Sequence, residues 1–140
     1  LGAARNGDLI PWDYDVDVGI RAEDIDKCPE LDRLGREPRY VTQAGFLWER
    51  ATEGGFFRVQ YSAYNHLHVD IFPFHADGDT IAKGPWNTGH KQDTAFPASL
   101  LEPLGHLPFA GWPNASVPQD PRKFLEFKFG VGVIEHPLYT

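Results

Sequence analysis

Residues 11–20 read Pro11-Trp12-Asp13-Tyr14-Asp15-Val16-Asp17-Val18-Gly19-Ile20. From Tyr14 onward, apolar and acidic residues alternate with a period of two. That places Tyr14, Val16, Val18 and Ile20 on one face of a strand and Asp13, Asp15 and Asp17 on the other. Same-face residues of a strand recur every ~6.6 Å, so the three carboxylates form a row. Uncompensated, such a row repels itself and destabilises the strand. Neighbouring carboxylates that converge on one cation turn that repulsion into coordination. Mg²⁺ and Mn²⁺ are the ions suited to such oxygen ligands, and Mg²⁺ commonly bridges one or two carboxylates to substrate phosphates. The apolar face is expected to anchor the strand in the core.

A second alternating stretch, His66 to Phe72, sets Leu67, Val69 and Ile71 against His66, His68 and Asp70. If both strands turn their apolar faces the same way in one sheet, Asp70 comes beside the Asp13, Asp15 and Asp17 row. An acidic pair on one strand with a third acid from its neighbour suits metal-dependent phosphoryl or nucleotidyl transfer. There, metals bridge phosphate oxygens and a carboxylate deprotonates the attacking hydroxyl. Two plainer readings are weaker. A solvated acidic strand face conflicts with the poor strand propensity of aspartate. A calcium loop counted from Asp13 would need glycine at position 6 and glutamate at position 12, where Val18 and Asp24 stand.

The flanking sequence supplies the rest of the fold. Ala22 to Leu34 has helical spacing of Ile25, Leu31 and Leu34, broken or shortened by Pro29. Gly54-Gly55 marks a turn between two expected strands, Gly45–Ala51 and Phe56–Ser62. Asp120 is placed to cap a helix with Pro121 at its first position and Gly130 as its stop, with Phe124, Phe127 and Leu125 as core candidates. Nine of the twelve prolines fall at or after Pro73, which predicts a loop-rich second half. The fold class expected is α/β (α+β): a small mixed sheet flanked by helices, in one domain spanning 1–140.

Composition narrows the function. Twenty acidic and thirteen basic residues in 140 give a net charge of −7. Residues 1–32 hold nine acids and three bases, so six of those seven charges lie there. That balance argues against a nucleic-acid partner. No run approaches ~20 apolar residues, so no membrane span is expected, and no signal leader opens the chain. The first residue, Leu1, reads as that of a fragment or processed chain. A single cysteine, Cys28, excludes an internal disulfide and an all-cysteine metal site. His66-x-His68 lacks a nearby third nitrogen or thiolate that a transition-metal centre would use. Arg5 suits a diphosphate oxygen, His68 suits the orientation of Asp70, and Lys83 and Lys128 read as solvated. Asn114-Ala115-Ser116 is a glycosylation triplet of a kind common by chance.

Taken together, Leu1-Gly2-Ala3-Ala4-Arg5, the Pro11–Asp17 segment, Phe56–Ser62, Asn65–Asp70, His90-Lys91-Gln92-Asp93, Leu107–Gly111 and Phe124–Gly130 resemble the LicD family of nucleotidyltransferase-fold phosphotransferases. Asp-Tyr-Asp at 13–15, where the general pattern is Asp-Asp-Asp, looks like its fukutin-related branch. The resemblance covers essentially the whole chain. It implies Mg²⁺-dependent transfer, with Mn²⁺ as the substitute ion, of ribitol 5-phosphate from CDP-ribitol to the O-mannosyl glycan of α-dystroglycan, releasing CMP. The implied setting is the Golgi lumen, and the implied partners are a CDP-alditol, a glycoprotein glycan and further copies in a full-length homo-oligomer. Carried over by motif, Asp13, Asp15, Asp17 and Asp70 are metal and catalytic carboxylates, with Asp70 or Asp13 as base and His68 beside them. Gly2, Arg5, His90 and Lys91 are read as donor-binding.

Departures from the family pattern bear on the domain. The glycine-bearing helix, membrane anchor, stem and cysteine zinc site that relatives carry upstream have no counterpart in these residues, so the domain is expected to be truncated at its N-terminus. Pro118-Gln119-Asp120-Pro121 replaces a Pro-Asn-Asn run. Two other functions stay open: a transferase for another CDP-alcohol such as choline or glycerol, and a non-catalytic domain that binds glycans or partners.

Overall fold

The computed structural model describes residues 1–12, 15–52, 54–82 and 95–136. The alternating segment becomes β1 (Asp15–Arg21). It lies parallel to β5 (His68–Asp77), the longest strand, with Asp15 opposite His68 and Asp17 opposite Asp70. Between them in sequence run β2 (Arg39–Val41), β3 (Leu47–Arg50) and β4 (Phe57–Gln60). These form an antiparallel meander, with β3 and β4 joined across the Gly54-Gly55 turn as their sequence predicts. β4 then pairs antiparallel with β5. With β6 (Thr80–Ala82) and β7 (Ala95–Pro97) the sheet has seven strands among the described residues, ordered β2-β3-β4-β5-β6-β7 with β1 against β5. A separate ribbon pairs β8 (Gly105–Phe109) with β9 (Trp112–Val117). The fold is thus the expected mixed α+β class, with short elements in its second half.

Both faces of the sheet are covered at one end and differently treated at the other. Ile20, Ile71 and Phe57 lie on one face and pack with Trp48 and Tyr40 against Leu31 and Leu34. The cover comes from a 3₁₀ turn (Ala22–Lys27) and α2 (Pro29–Leu34), two short pieces because Pro29 starts the second. Leu34 is fully buried there. On the opposite face the alternation of β5 runs His68, Asp70, Phe72, Phe74, so its polar half precedes an aromatic half. Phe72 stacks on Phe56 at 4.8 Å, and Phe74 meets Phe96 edge-on, which in turn meets Phe124 of α3 (Pro121–Phe129). The polar half is left for the site.

Two packing expectations need correction. Val18, expected in the core, is 43% exposed and lies outside the cluster in which Ile20 and Ile71 pack. In α3 the buried residue is Leu125, while Phe127 is exposed. Phe124 and Leu125 lie about 100° apart and flank the buried stripe, and Phe127 falls well outside it. The cap itself is as the sequence predicts: Lys123 N–H donates to the Asp120 carboxylate at 3.1 Å, and Gly130 follows the last turn. Among the described residues no helix is long and apolar enough to cross a membrane.

Candidate metal and transfer site

The site begins at the first residues of two parallel strands. Because Asp15 faces His68 in the ladder, and Asp70 is the next same-face residue of β5, three side chains converge. Ligand atoms of Asp15, His68 and Asp70 all lie within 4.8 Å of one another. His68 Nε2 is 3.7 Å from Asp15 Oδ2 and 3.6 Å from Asp70 Oδ2. Asp17 shares their face, directly across from Asp70, and sits outside this trio.

The tautomer of His68 follows from its other nitrogen. Nδ1 lies 2.9 Å from the His66 carbonyl oxygen, which can only accept, so Nδ1 carries the proton. Nε2 therefore points between two carboxylates. In that position Nε2 can act as a third ligand to a cation bound between the two carboxylates. His66 is held separately: its Nδ1 contacts Gln60 Oε1, while Gln60 Nε2 donates to Glu49 at 2.7 Å. His66 thus serves a side-chain network and does not join His68 at one centre, in line with setting His66-x-His68 aside as a metal pair.

Asp70 is the buried member, at 6% exposure. A carboxylate so enclosed requires a partner, and it has one across the β4–β5 ladder, where Arg58 Nε donates to Asp70 Oδ1 at 2.7 Å. Arg58 was not among the residues singled out from the sequence. Its signal was the polar pair Arg58 and Gln60 alternating along the Phe56–Ser62 strand. Among the described residues, the carboxylates of Asp15, Asp17 and Asp70 outnumber the Arg58 guanidinium by two charges.

The donor set fits such an ion. Adjacent ligands of an octahedral Mg²⁺ stand about 3 Å apart at metal–oxygen distances near 2.1 Å, so modest side-chain movement closes these gaps. Two carboxylates suit Mg²⁺ or Mn²⁺, and an imidazole ligand is better tolerated by Mn²⁺. An apolar recess of about 270 Å³ opens beside Asp15 and His68, walled by Leu9, Val16, Phe46, Tyr61 and Leu67.

The other sequence candidates are distributed differently. Gly2 starts α1 (Gly2–Asn6), and its residue type has a packing reason: a Cβ there would lie 2.4 Å from the Asp8 carbonyl oxygen. Arg5 is exposed, with its guanidinium 5.6 Å from the Trp12 ring centre, and is not drawn into the trio. Asp13, Lys83, His90 and Lys91 lie outside the described residues, as does Tyr14.

Comparison with known proteins decides the family. The profile described as LicD/FKTN/FKRP, nucleotidyltransferase domain, matches residues 1–120. The chain belongs to the LicD family. Two curated relatives, both named Ribitol 5-phosphate transferase FKRP, come from Mus musculus and Homo sapiens. Each is 54% identical over 139 residues, which is 99% of this chain. The chain spans 28% of the length of these relatives. Within the LicD domain, the parallel β1–β5 pair is therefore the element that carries the acidic motif.

Proposed function

We propose that this chain is a nucleotidyltransferase-like catalytic domain that transfers ribitol 5-phosphate from CDP-ribitol to a glycan hydroxyl. The observation that carries the reading is the convergence of Asp15, His68 and Asp70 at the head of two parallel strands in a LicD-family chain. The relatives' name supports the choice of ribitol 5-phosphate. The acceptor follows the fukutin-related resemblance: an O-mannosyl glycan of the kind on α-dystroglycan, met in the Golgi lumen.

Asp15 and Asp70 would hold the cation, Mg²⁺ with Mn²⁺ as substitute, with Asp17 and Asp13 completing the acidic row. When bound, the ion supplies positive charge against the donor diphosphate and the departing CMP. The chain's own part is positioning and proton transfer. An acceptor hydroxyl oxygen attacks the phosphorus that bears ribitol, the bond from that phosphorus to the CMP oxygen breaks, and CMP leaves in line. The hydroxyl proton passes to Asp13, the other base the resemblance offers, because Asp70 has Oδ1 engaged by Arg58 and Oδ2 turned to the cation. His68, fixed by the His66 carbonyl, would offer Nε2 as a third ligand between the Asp15 and Asp70 carboxylates. Gly2, Arg5, His90 and Lys91 remain the residues assigned to donor binding by the resemblance.

A donor panel tests this. Incubated with Mg²⁺, a mannosyl-glycan acceptor and CDP-ribitol, CDP-glycerol or CDP-choline in turn, the chain should release CMP fastest from CDP-ribitol. Faster release from either other donor would move the chain to another CDP-alcohol. Absence of Mg²⁺-dependent binding to every donor by a folded chain would make it a glycan- or partner-binding domain.

A further inference from the structure

We propose that Arg58 is a positioning residue that makes Asp70 a one-sided ligand, engaging Oδ1 so that Oδ2 alone faces the Asp15–His68 centre. The inference rests on the metal-site reading above. Its ground is the cross-strand geometry. Arg58 and Asp70 are register partners on β4 and β5, and Arg58 Nε reaches Asp70 Oδ1 at 2.7 Å. Both side chains are largely withdrawn from solvent, at 20% and 9% exposure. The guanidinium also lies 5.5 Å from the Phe56 ring centre, and Phe56 is buried against Phe72. Arg58 is therefore held by an aromatic layer below and by the carboxylate beside it.

A free aspartate can turn its carboxylate or chelate through both oxygens. With Oδ1 engaged, both options close, and Oδ2 is set 3.6 Å from His68 Nε2. Arginine matters for geometry as much as for charge, because its Nε–H direction is fixed by a planar group. Lysine supplies only a flexible point charge. Outer partners of metal ligands commonly change metal affinity by about 10–100-fold when altered.

Charge and geometry predict opposite results. If Arg58 only neutralises Asp70, Arg58→Lys leaves Mn²⁺ affinity unchanged, and Arg58→Gln tightens it by removing a positive charge near the ion. If Arg58 positions Asp70, both variants weaken Mn²⁺ binding by about tenfold or more, with the thermal midpoint of Arg58→Lys close to that of the parent chain. The probe is Mn²⁺ alone, titrated into the chain and followed by the loss of the free-ion paramagnetic resonance signal. In an Asp70→Asn background, Arg58→Lys should have no further effect, since it acts through the missing carboxylate.

Parent-like or tighter Mn²⁺ binding by Arg58→Lys overturns the inference alone, as does additivity with Asp70→Asn. Should Arg58→Lys fail to fold, the direction of the Arg58→Gln change decides instead. Failure of the parent chain to bind Mn²⁺ overturns the metal-site reading, and this inference with it.

Discussion

Asp17 of β1 stands directly across the parallel ladder from Asp70 of β5, and Arg58 of β4 stands across from Asp70 on the other side. One buried carboxylate is therefore flanked by a second acid and by a guanidinium, all from consecutive strands of one sheet. Rigid strands set these spacings, which is the condition for ligands that must meet an ion within a fraction of an ångström.

Gly19 keeps β1 close to β5's aromatic half. A Cβ at this position would lie 2.4 Å from Phe74 Cε2 and 2.9 Å from Cδ2. Phe74 is itself set edge-on to Phe96, at 5.8 Å between ring centres, so the ring has a neighbour to disturb when it moves. Gly19→Ala should destabilise the chain by about 1–3 kcal/mol in urea unfolding. Adding Phe74→Leu should recover part of that loss relative to the sum of the single changes. Strict additivity would show that the two residues do not compete for space.

Tyr40 links the helical cover to the sheet. Its hydroxyl donates to the Glu30 carbonyl at 2.6 Å, and burial pushes the phenol above its ordinary value of 10.0. The Arg33 guanidinium, 3.8 Å from the ring centre, opposes that shift, and Glu30 adds to it. A phenol that holds its proton more tightly when folded contributes stability in full below pH 10. That contribution disappears as pH rises through the elevated folded value. Ultraviolet titration should show a late-ionising phenol that Tyr40→Phe removes, at a cost of about 1 kcal/mol at neutral pH. A late phenol persisting in the variant would assign it elsewhere.

Asp120 starts α3 by accepting the Lys123 N–H. Asp120→Ala should cost about 1 kcal/mol, and Asp120→Asn much less, since asparagine also caps. Because α3 docks through Phe124 on Phe96, fraying should also weaken protection of β7 amides in hydrogen exchange. Equal stability of the alanine and aspartate chains would remove the cap from the account.

Much of this arrangement is legible in the sequence, and the reasons are local. Alternation in Tyr14–Ile20 and His66–Phe72 reveals both strands and which residues share a face, because side chains change sides at every residue. Shared apolar faces then bring Asp70 beside the acidic row. Direction is another matter: a period of two is the same read either way, so the parallel pairing of β1 with β5 is not written in it. The role of Arg58 is not legible there because its partner depends on the β4–β5 register. That register is set by the intervening loop, where Ser62 Oγ accepts from Tyr64 and Asn65 N–H and Tyr61 N–H reaches the Leu67 carbonyl. Such loop bonds carry no periodic signal. The identity of Gly19 is likewise explained only by a ring arriving from β5.

The acidity of residues 1–32 divides in the same way. Asp15 and Asp17 belong to the site strand, whereas Asp24 and Asp32 pair with Lys27 and Arg36 on the exposed helical cover. Exposed pairs of that kind add little stability. Part of the excess charge thus lies on the site strand and part on a solvated surface.

The most direct test is Mn²⁺ binding and CMP release by Asp15→Asn and Asp70→Asn, with far-UV circular dichroism confirming the fold. Each change keeps the side chain's shape and removes one charge from the convergent trio. The account predicts that both variants fold, bind Mn²⁺ at least tenfold more weakly and release no CMP from CDP-ribitol above background. A folded double variant that binds Mn²⁺ and turns over CDP-ribitol like the parent chain would contradict it.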